Sequence, residues 1–291
     1  MTQPDLRSMV RGAAGILAEA GVPSPEHDAR ALATHLLDVP HLAYAPAELP
    51  DDFRADFAAL VDRRRRREPL QHIVGHAAFR HVTLAAEPGV FVPRPETEVV
   101  AQHGVDAALA VAAAGREPLL VDLCCGAGGI AVSLAVEVPG ARVIAVDASP
   151  EAVALTRRNH AANAPEDGAG VRVEQGDVRD PALLADLDGT VDVLVSNPPY
   201  IPPDAVPNEP EVREHDPDLA LYGGGADGLE VPRAVVLTAR RLLRGGGVFV
   251  MEHAEVQAAA VRAITSAAGF VDVTSFTDLT GRDRGVRAVA P

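Results

Sequence analysis

The spacing of apolar positions changes character along the chain. Up to about residue 75 it is helical: Val10, Ala14, Leu17 and Ala18 recur three or four apart. Ser24-Pro25-Glu26 reads as an N-cap with proline at the first helical position, ahead of a second apolar run from Ala29 to Leu37. Phe53, Phe57 and Leu60 predict a third helix that ends in the run Arg63 to Arg67. That run reads as a solvated helix end favoured by the helix dipole; the sharper alternative is a patch for RNA or an acidic partner. Residues 76–100 predict a connector. Phe79 to Ala86 alternates as a strand does, and Gly89-Val90-Phe91-Val92 is placed to pair with it before Pro93 and Pro95 break regular structure.

Beyond residue 100 short apolar strands alternate with helical stretches. Strands are expected at Leu119 to Leu123, Arg142 to Val146, Val171 to Glu174, Val191 to Val195, Val248 to Met251, Val271 to Phe276 and Val286 to Val289. Helices are expected at Gly129 to Glu137, after the cap Ser149-Pro150-Glu151, at Leu229 to Leu243 and at Ala254 to Ala268. This alternation predicts an α/β fold, a mostly parallel sheet covered by helices on both faces. The expected organisation is therefore a helical domain over 1–75, a connector with a β-hairpin over 76–100 and an α/β domain over 101–291. One segment escapes both periods. Asn197 to Pro232 contains eight prolines and many acids, and it follows directly on a strand end, where open α/β sheets bind ligands.

Composition narrows the function classes. The 291 residues carry 26 basic and 41 acidic side chains, a formal charge of −15, which repels nucleic-acid phosphates and argues against a general nucleic-acid binder. Every basic residue is arginine, which with the alanine content reads as the codon bias of a GC-rich genome. The two cysteines, Cys124 and Cys125, are adjacent and build no disulfide framework, so a reducing cytoplasm is expected. Met1 to Arg11 has no apolar signal core, and the run Ala107 to Ala114 is too short to span a membrane.

Two motifs carry chemistry. Val121-Asp122-Leu123-Cys124-Cys125-Gly126-Ala127-Gly128-Gly129 sits at a strand-to-helix turn, where glycines admit a ligand close to the backbone and the helix start offers free N–H groups. Asp147 ends the next strand, 19 residues after Gly128, the spacing of an acid that accepts hydrogen bonds from ribose hydroxyls. A nicotinamide dinucleotide and an adenosine-containing ligand such as S-adenosylmethionine both fit this pair. The second motif is Ser196-Asn197-Pro198-Pro199-Tyr200. Pro198 and Pro199 fix φ and donate nothing, so the segment presents carbonyl oxygens rigidly. Asn197 adds a side-chain carbonyl and Tyr200 a flat face. Together they make an acceptor pocket for a planar –NH₂, an amide or an exocyclic base amine. The histidines His72, His76 and His81 lack zinc spacing, and His253 reads as structural.

Asn-Pro-Pro-Tyr after such a glycine-rich loop resembles the amino-methyltransferases. Glu68 to Gly75, Pro93-Arg94-Pro95-Glu96-Thr97-Glu98, Asn197 to Ile201, Ala220 to Gly224 with Asp227-Gly228-Leu229, and Asp283-Arg284 narrow the resemblance. From about residue 5 to the end, the chain resembles the protein-(glutamine-N5) methyltransferases of peptide release factors, the HemK/PrmC type. The resemblance implies a seven-stranded class I S-adenosylmethionine-dependent methyltransferase domain and an N-terminal helical domain that docks the release factor. It implies that Cys124, Cys125, Gly126, Ala127, Gly128, Asp147, Asp177, Val178 and Asn197 line the S-adenosylmethionine site, with Glu96 closing over it. It implies that Asn197, Pro198, Pro199 and Tyr200 grip a glutamine side chain, in the first place that of Gly-Gly-Gln. No membrane, metal or specific DNA partner is expected. Cys124 and Cys125 stand where the family usually has glycine and a small hydroxyl residue, and Val178 where it often has a larger side chain. These departures keep open a paralogue acting on another protein glutamine, a small molecule or adenine N6 in DNA.

Overall fold

The computed structural model describes residues 5–164 and 170–291; residues 1–4, at the start of the expected helical domain, lie outside the described residues. In chain order the elements are α1 (Leu6–Glu19), α2 (Pro25–Leu37), α3 (Phe53–Arg65), α4 (Leu70–Val74), β1 (His76–Phe79), β2 (Val82–Ala85), α5 (Thr97–Ala113), β3 (Leu119–Leu123), α6 (Gly129–Glu137) and β4 (Arg142–Asp147). There follow α7 (Pro150–Asn163), β5 (Val171–Gln175), β6 (Val191–Ser196), α8 (Pro210–His215), α9 (Asp218–Leu221), α10 (Glu230–Leu242), β7 (Leu243–Glu252), α11 (Ala258–Ala267), β8 (Val271–Thr277) and β9 (Asp283–Val289). Two compact units result. One holds the residues up to His76 together with Pro207–His215; the other holds Ala77–Val206 and Asp216–Pro291.

In the helical unit, Val10, Ala13, Ala14 and Leu17 line one face of α1 and join Leu32 and Ala33 of α2 and Phe53, Phe57 and Val61 of α3 in one core. The Asp5 carboxylate caps α1 by accepting the Ser8 N–H at 2.8 Å. Ser24 precedes α2, with Pro25 at its first position, but its hydroxyl makes no capping hydrogen bond. The arginine run departs further from expectation. Arg64 is only 5% exposed, giving Nε to Asp28 Oδ2 at 2.7 Å and standing 2.7 Å from Glu211 Oε1. Arg67 makes a two-pronged pair with the same Glu211 at 2.8 and 2.6 Å. Arg63 pairs with Glu68, and Arg65 and Arg66 with Asp62. The run is thus bound to the unit's own acids, not to solvent alone. Arg64→Ala would leave Asp28 and Glu211 buried with less compensation, so a loss of roughly 3–5 kcal/mol is expected in chemical denaturation of the protein.

In the second unit seven strands form one sheet in the order β5-β4-β3-β6-β7-β9-β8. β5, β4, β3, β6 and β7 run parallel, while β9 lies antiparallel to both β7 and β8. Alternate residues of the central strands enter opposite cores. Leu120, Val143 and Val193 pack with α5, α6 and Phe79; Val121, Ile144 and Leu194 pack with α10 and Val261 of α11. The chain runs outward from β3 to β5 and then returns to β6 on the other side of β3, so the strand order reverses beside β3. A crevice at such a reversal is where sheets of this kind take ligands.

Three local expectations are corrected. The hairpin is β1 with β2, turned through Arg80 and His81, and Gly89 to Val92 forms no strand. Arg80 takes the left-handed conformation there (φ 50°), and its side chain pairs with Glu137 at 2.7 and 2.6 Å. The expected connector over 76–100 gives way to helix α5 already at Thr97. The irregular segment after Asn197 contains two short helices, α8 and α9, and α10 begins before it ends. Among the described residues no helix is long and apolar enough to cross a membrane.

Candidate active site

The C-terminal ends of the parallel strands bring the motif residues side by side. Leu123 is in register with Val146 and Ser196, and Ser196 with Met251. The next residues along each strand, Cys124, Asp147, Asn197 and Glu252, therefore share one edge of the sheet. After β3 the loop alternates into the left-handed region at Cys124 (φ 60°), Gly126 (φ 56°) and Gly128 (φ 86°). Gly128 has a second reason to be glycine: an added Cβ would stand 2.8 Å from Thr156 Cγ2. Cys124 holds a left-handed conformation that glycine adopts without steric cost.

Asp147 fixes this loop. Its Oδ2 accepts the Gly126 N–H at 2.8 Å and its Oδ1 the Ser149 N–H at 2.9 Å. Each oxygen keeps a second lone pair for a hydroxyl. Burial raises the Asp147 pKa, opposed by those backbone N–H groups. Thr156 and Asn159 of α7 hold the loop carbonyls of Gly126 and Ala127, both at 2.8 Å. Asp122 is fully buried; its Oδ2 accepts the Ala131 N–H at 3.0 Å, and its Oδ1 has no partner among the described residues. Burial, with the Asp147 and Asp122 carboxylates near by, pushes both cysteine thiols well above their usual range, so they stay protonated.

After β6, Asn197 donates through Nδ2 to Thr97 Oγ1 at 3.1 Å, and Thr97 donates to Glu252 Oε2 at 2.8 Å. Tyr200 donates its hydroxyl to Glu252 Oε1 at 3.2 Å. Among the described residues nothing donates to Asn197 Oδ1 or to the Pro198 carbonyl. The Pro199–Ile201 backbone is braced from behind. The Ile201 N–H donates to the Leu221 carbonyl at 2.9 Å, the Gly223 N–H donates to the Ile201 carbonyl at 3.1 Å, and Gln257 Nε2 donates to the Tyr200 carbonyl at 2.8 Å. A Cβ on Gly223 would stand 2.6 Å from the Pro199 oxygen, so only glycine allows this approach.

Glu252 is buried at the end of β7, and its pKa is pushed up to about 7, first by that burial. The hydrogen bonds from Thr97 and Tyr200 and the charge of Arg284 oppose the rise; Glu96 adds to it. Burial and the neighbouring Glu252 also raise the Tyr200 phenol, which stays protonated. Arg284 is held by Asp278 at 3.2 and 3.0 Å.

Asp177 lies beyond β5, half-buried and paired with Arg179 at 2.7 Å; Val178 is buried with Val146 and Leu183. Glu96 is half-buried immediately before α5. The sequence pattern alone does not mark Asp122, Thr97 or Glu252 as site residues. A buried acid inside an otherwise apolar strand was the available signal for Asp122. Thr97 lay inside the Arg-Pro-Glu-Thr-Glu motif, and Glu252 closed an apolar strand at the same sheet edge.

Residues 8–75 match the family model described as PrmC N-terminal domain, and residues 82–208 match Methyltransferase small domain. A release factor glutamine methyltransferase of Streptomyces coelicolor is 49% identical, over 92% of each chain. One of Bifidobacterium longum is 44% identical over 98% of this chain and 99% of the relative. A 4-amino-L-phenylalanine/4-methylamino-L-phenylalanine methyltransferase of Streptomyces pristinaespiralis is 42% identical over 91% of this chain and 89% of its own length. The structure of a Thermus thermophilus 16S rRNA N2 G1207 methyltransferase with AdoMet and guanosine superposes with a TM-score of 0.53 at 21% identity, over 74% of this chain and 50% of that one. That likeness concerns the fold, a class I methyltransferase sheet with helices on both faces. On sequence over nearly its whole length, the chain belongs to the family of release factor glutamine methyltransferases.

Proposed function

We propose that this protein methylates the side-chain amide nitrogen of a glutamine in a peptide chain release factor, with S-adenosylmethionine as methyl donor. The observation that carries the reading is the pair of unengaged acceptors, Asn197 Oδ1 and the Pro198 carbonyl, beside the ribose-type acid Asp147 on one sheet edge. When bound, the cofactor supplies an electrophilic methyl on its sulfonium. The loop from Cys124 to Gly128, Asp147, Asp177, Val178 and Asn197 line its site in this reading, and Glu96 closes over it. The acceptor set fits such a ligand: Asp147 has lone pairs for ribose hydroxyls, and Asp122 Oδ1 is a buried acceptor suited to an ammonium group. Asp147→Ala is expected to weaken S-adenosylmethionine binding about 10- to 100-fold in calorimetric titration.

A glutamine amide is planar and its nitrogen lone pair is delocalised, so it is a poor nucleophile. Asn197 Oδ1 and the Pro198 carbonyl accept its two N–H bonds and orient the nitrogen; Pro199 stiffens the segment, and Tyr200 offers a face to the amide. Catalysis by these residues is chiefly alignment, with acceptors placed where positive charge develops on nitrogen; that charge makes the N–H acidic, and the nitrogen sheds one proton to leave the neutral N-methyl amide. The helical unit is the docking element for the release factor. The enzyme acts in the cytoplasm, with no membrane or specific DNA partner. A charge of −15 supports that exclusion of DNA.

A second reading is favoured by the Streptomyces pristinaespiralis relative, since an arylamine is also a planar –NH₂. Labelled S-adenosylmethionine offered with a bacterial release factor, 4-aminophenylalanine or duplex DNA separates the cases. Label is expected on the release factor. Label on the amino acid alone would favour the second reading, and label on DNA would overturn both.

A further inference from the structure

The orientation of the Asn197 amide is set by residues far away in sequence. Glu252 is buried, and as a carboxylate it only accepts hydrogen bonds. Thr97, at the first turn of α5, has a single O–H, and at 2.8 Å it gives that proton to Glu252 Oε2. Thr97 Oγ1 then has only lone pairs left for its neighbour. The end of the Asn197 amide that lies 3.1 Å away must be the –NH₂, so Oδ1 faces the opposite way. With the amide flipped, two acceptor oxygens would meet without a proton between them, and donors would confront the donors of a substrate –NH₂.

We propose that Thr97 and Glu252 are positioning residues for methyl transfer: their hydrogen-bond chain holds the Asn197 carbonyl toward the substrate nitrogen. The inference rests on the proposed role of Asn197 in gripping that nitrogen. Neither Thr97 nor Glu252 acts on the substrate directly. The groups facing Glu252 suit the task. Tyr200 uses Oε1 and leaves Oε2 to Thr97; Arg284, restrained by Asp278, favours the carboxylate, while Glu96 disfavours it. The chain joins positions 97, 197 and 252, contributed by the start of α5, the end of β6 and the end of β7. A purely packing role for Thr97 would survive replacement of its hydroxyl by a methyl; a directional role would not.

The test uses the full-length enzyme with a release factor as substrate. Thr97→Val keeps the branched shape and removes the O–H. It is expected to lower kcat about 10- to 100-fold, with KM for the release factor and affinity for S-adenosylmethionine within about twofold of wild type. Thr97→Ser restores the hydroxyl and is expected to restore kcat. Asn197→Ala is the reference: if it methylates as well as wild type, the role of Asn197 fails and the inference with it. If Asn197→Ala is inactive while Thr97→Val turns over at the wild-type rate, the inference alone is overturned. Should Thr97→Val fail to fold, Glu252→Gln decides. Its amide can give or accept at Thr97, so the direction of the chain is lost, and a fall in kcat is expected. Wild-type kcat in Glu252→Gln would overturn the inference.

Discussion

Asn197→Ala enzyme, saturated with S-adenosylmethionine and release factor, is expected to lose about 100- to 1000-fold in kcat, the scale seen when one preorganised polar group is removed from a reacting centre. The size follows from the state of the two acceptors. The Pro198 carbonyl survives the substitution, because it belongs to a backbone held by proline rings and by the Ile201–Leu221 and Gln257–Tyr200 hydrogen bonds. Only one of the two N–H bonds of the substrate is then restrained, and the nitrogen can turn away from the methyl. Folding should be spared. Asn197 is half-buried, and the partner it leaves, Thr97, keeps its hydrogen bond to Glu252. Stopped assays with labelled cofactor give kcat, and a melting curve separates the rate effect from unfolding.

Glu252→Gln is expected to separate stability from activity, with a sign that depends on pH. The carboxyl is raised to about 7 in the folded protein from an ordinary value of 4.5. A group that binds its proton more tightly when folded stabilises the fold at low pH and loses that contribution as pH rises toward the folded value. At pH 8 the buried charge therefore costs roughly 3 kcal/mol on an order-of-magnitude scale. The neutral glutamine, whose single oxygen can serve only one of the Thr97 and Tyr200 hydroxyls, should melt higher than wild type at pH 8 and no higher at pH 4.5. Activity moves the other way. The carboxylate is needed to direct Thr97, so wild-type kcat should climb through about pH 7 and then level, while Glu252→Gln should be lower and lack that rise. A variant less stable than wild type at pH 8 would contradict the burial argument.

Much of the sheet was legible because most of its strands hold short apolar runs of valine, leucine or isoleucine. Leu119–Leu123 and Val271 onward stand where the pattern put them, and the antiparallel β9 differs only in starting at Asp283. What escaped has a physical reason in each case. Helix α5 follows two prolines and contains Gly104, both signs of irregular structure. Yet Gly104 is there because a Cβ would stand 2.6 Å from Val195 Cγ2, so close packing on β6 explains the glycine. The two-residue hairpin turn uses Arg80 in the left-handed region, without the Asn-Gly or Asp-Gly pair that would announce it. Arg64 looked solvated because its partners, Asp28 and Glu211, lie 36 residues back and far along the chain. At the candidate site, Asn197, Tyr200 and Asp147 were readable as chemistry with local motif context. Thr97 and Glu252 were not, since their meaning arises only from contacts spanning 100 and 155 residues.

Peptide mass spectrometry of the methylated product identifies the atom that receives the methyl. A release factor carrying Gly-Gly-Gln is incubated with enzyme and S-adenosylmethionine, beside the same factor with that glutamine changed to alanine. One methyl on the side-chain nitrogen of the Gly-Gly-Gln glutamine, absent from the alanine control and formed far more slowly by Asn197→Ala enzyme, is the expected result. A methyl on another residue, or an unmodified factor in the presence of enzyme that turns over 4-aminophenylalanine, would contradict it.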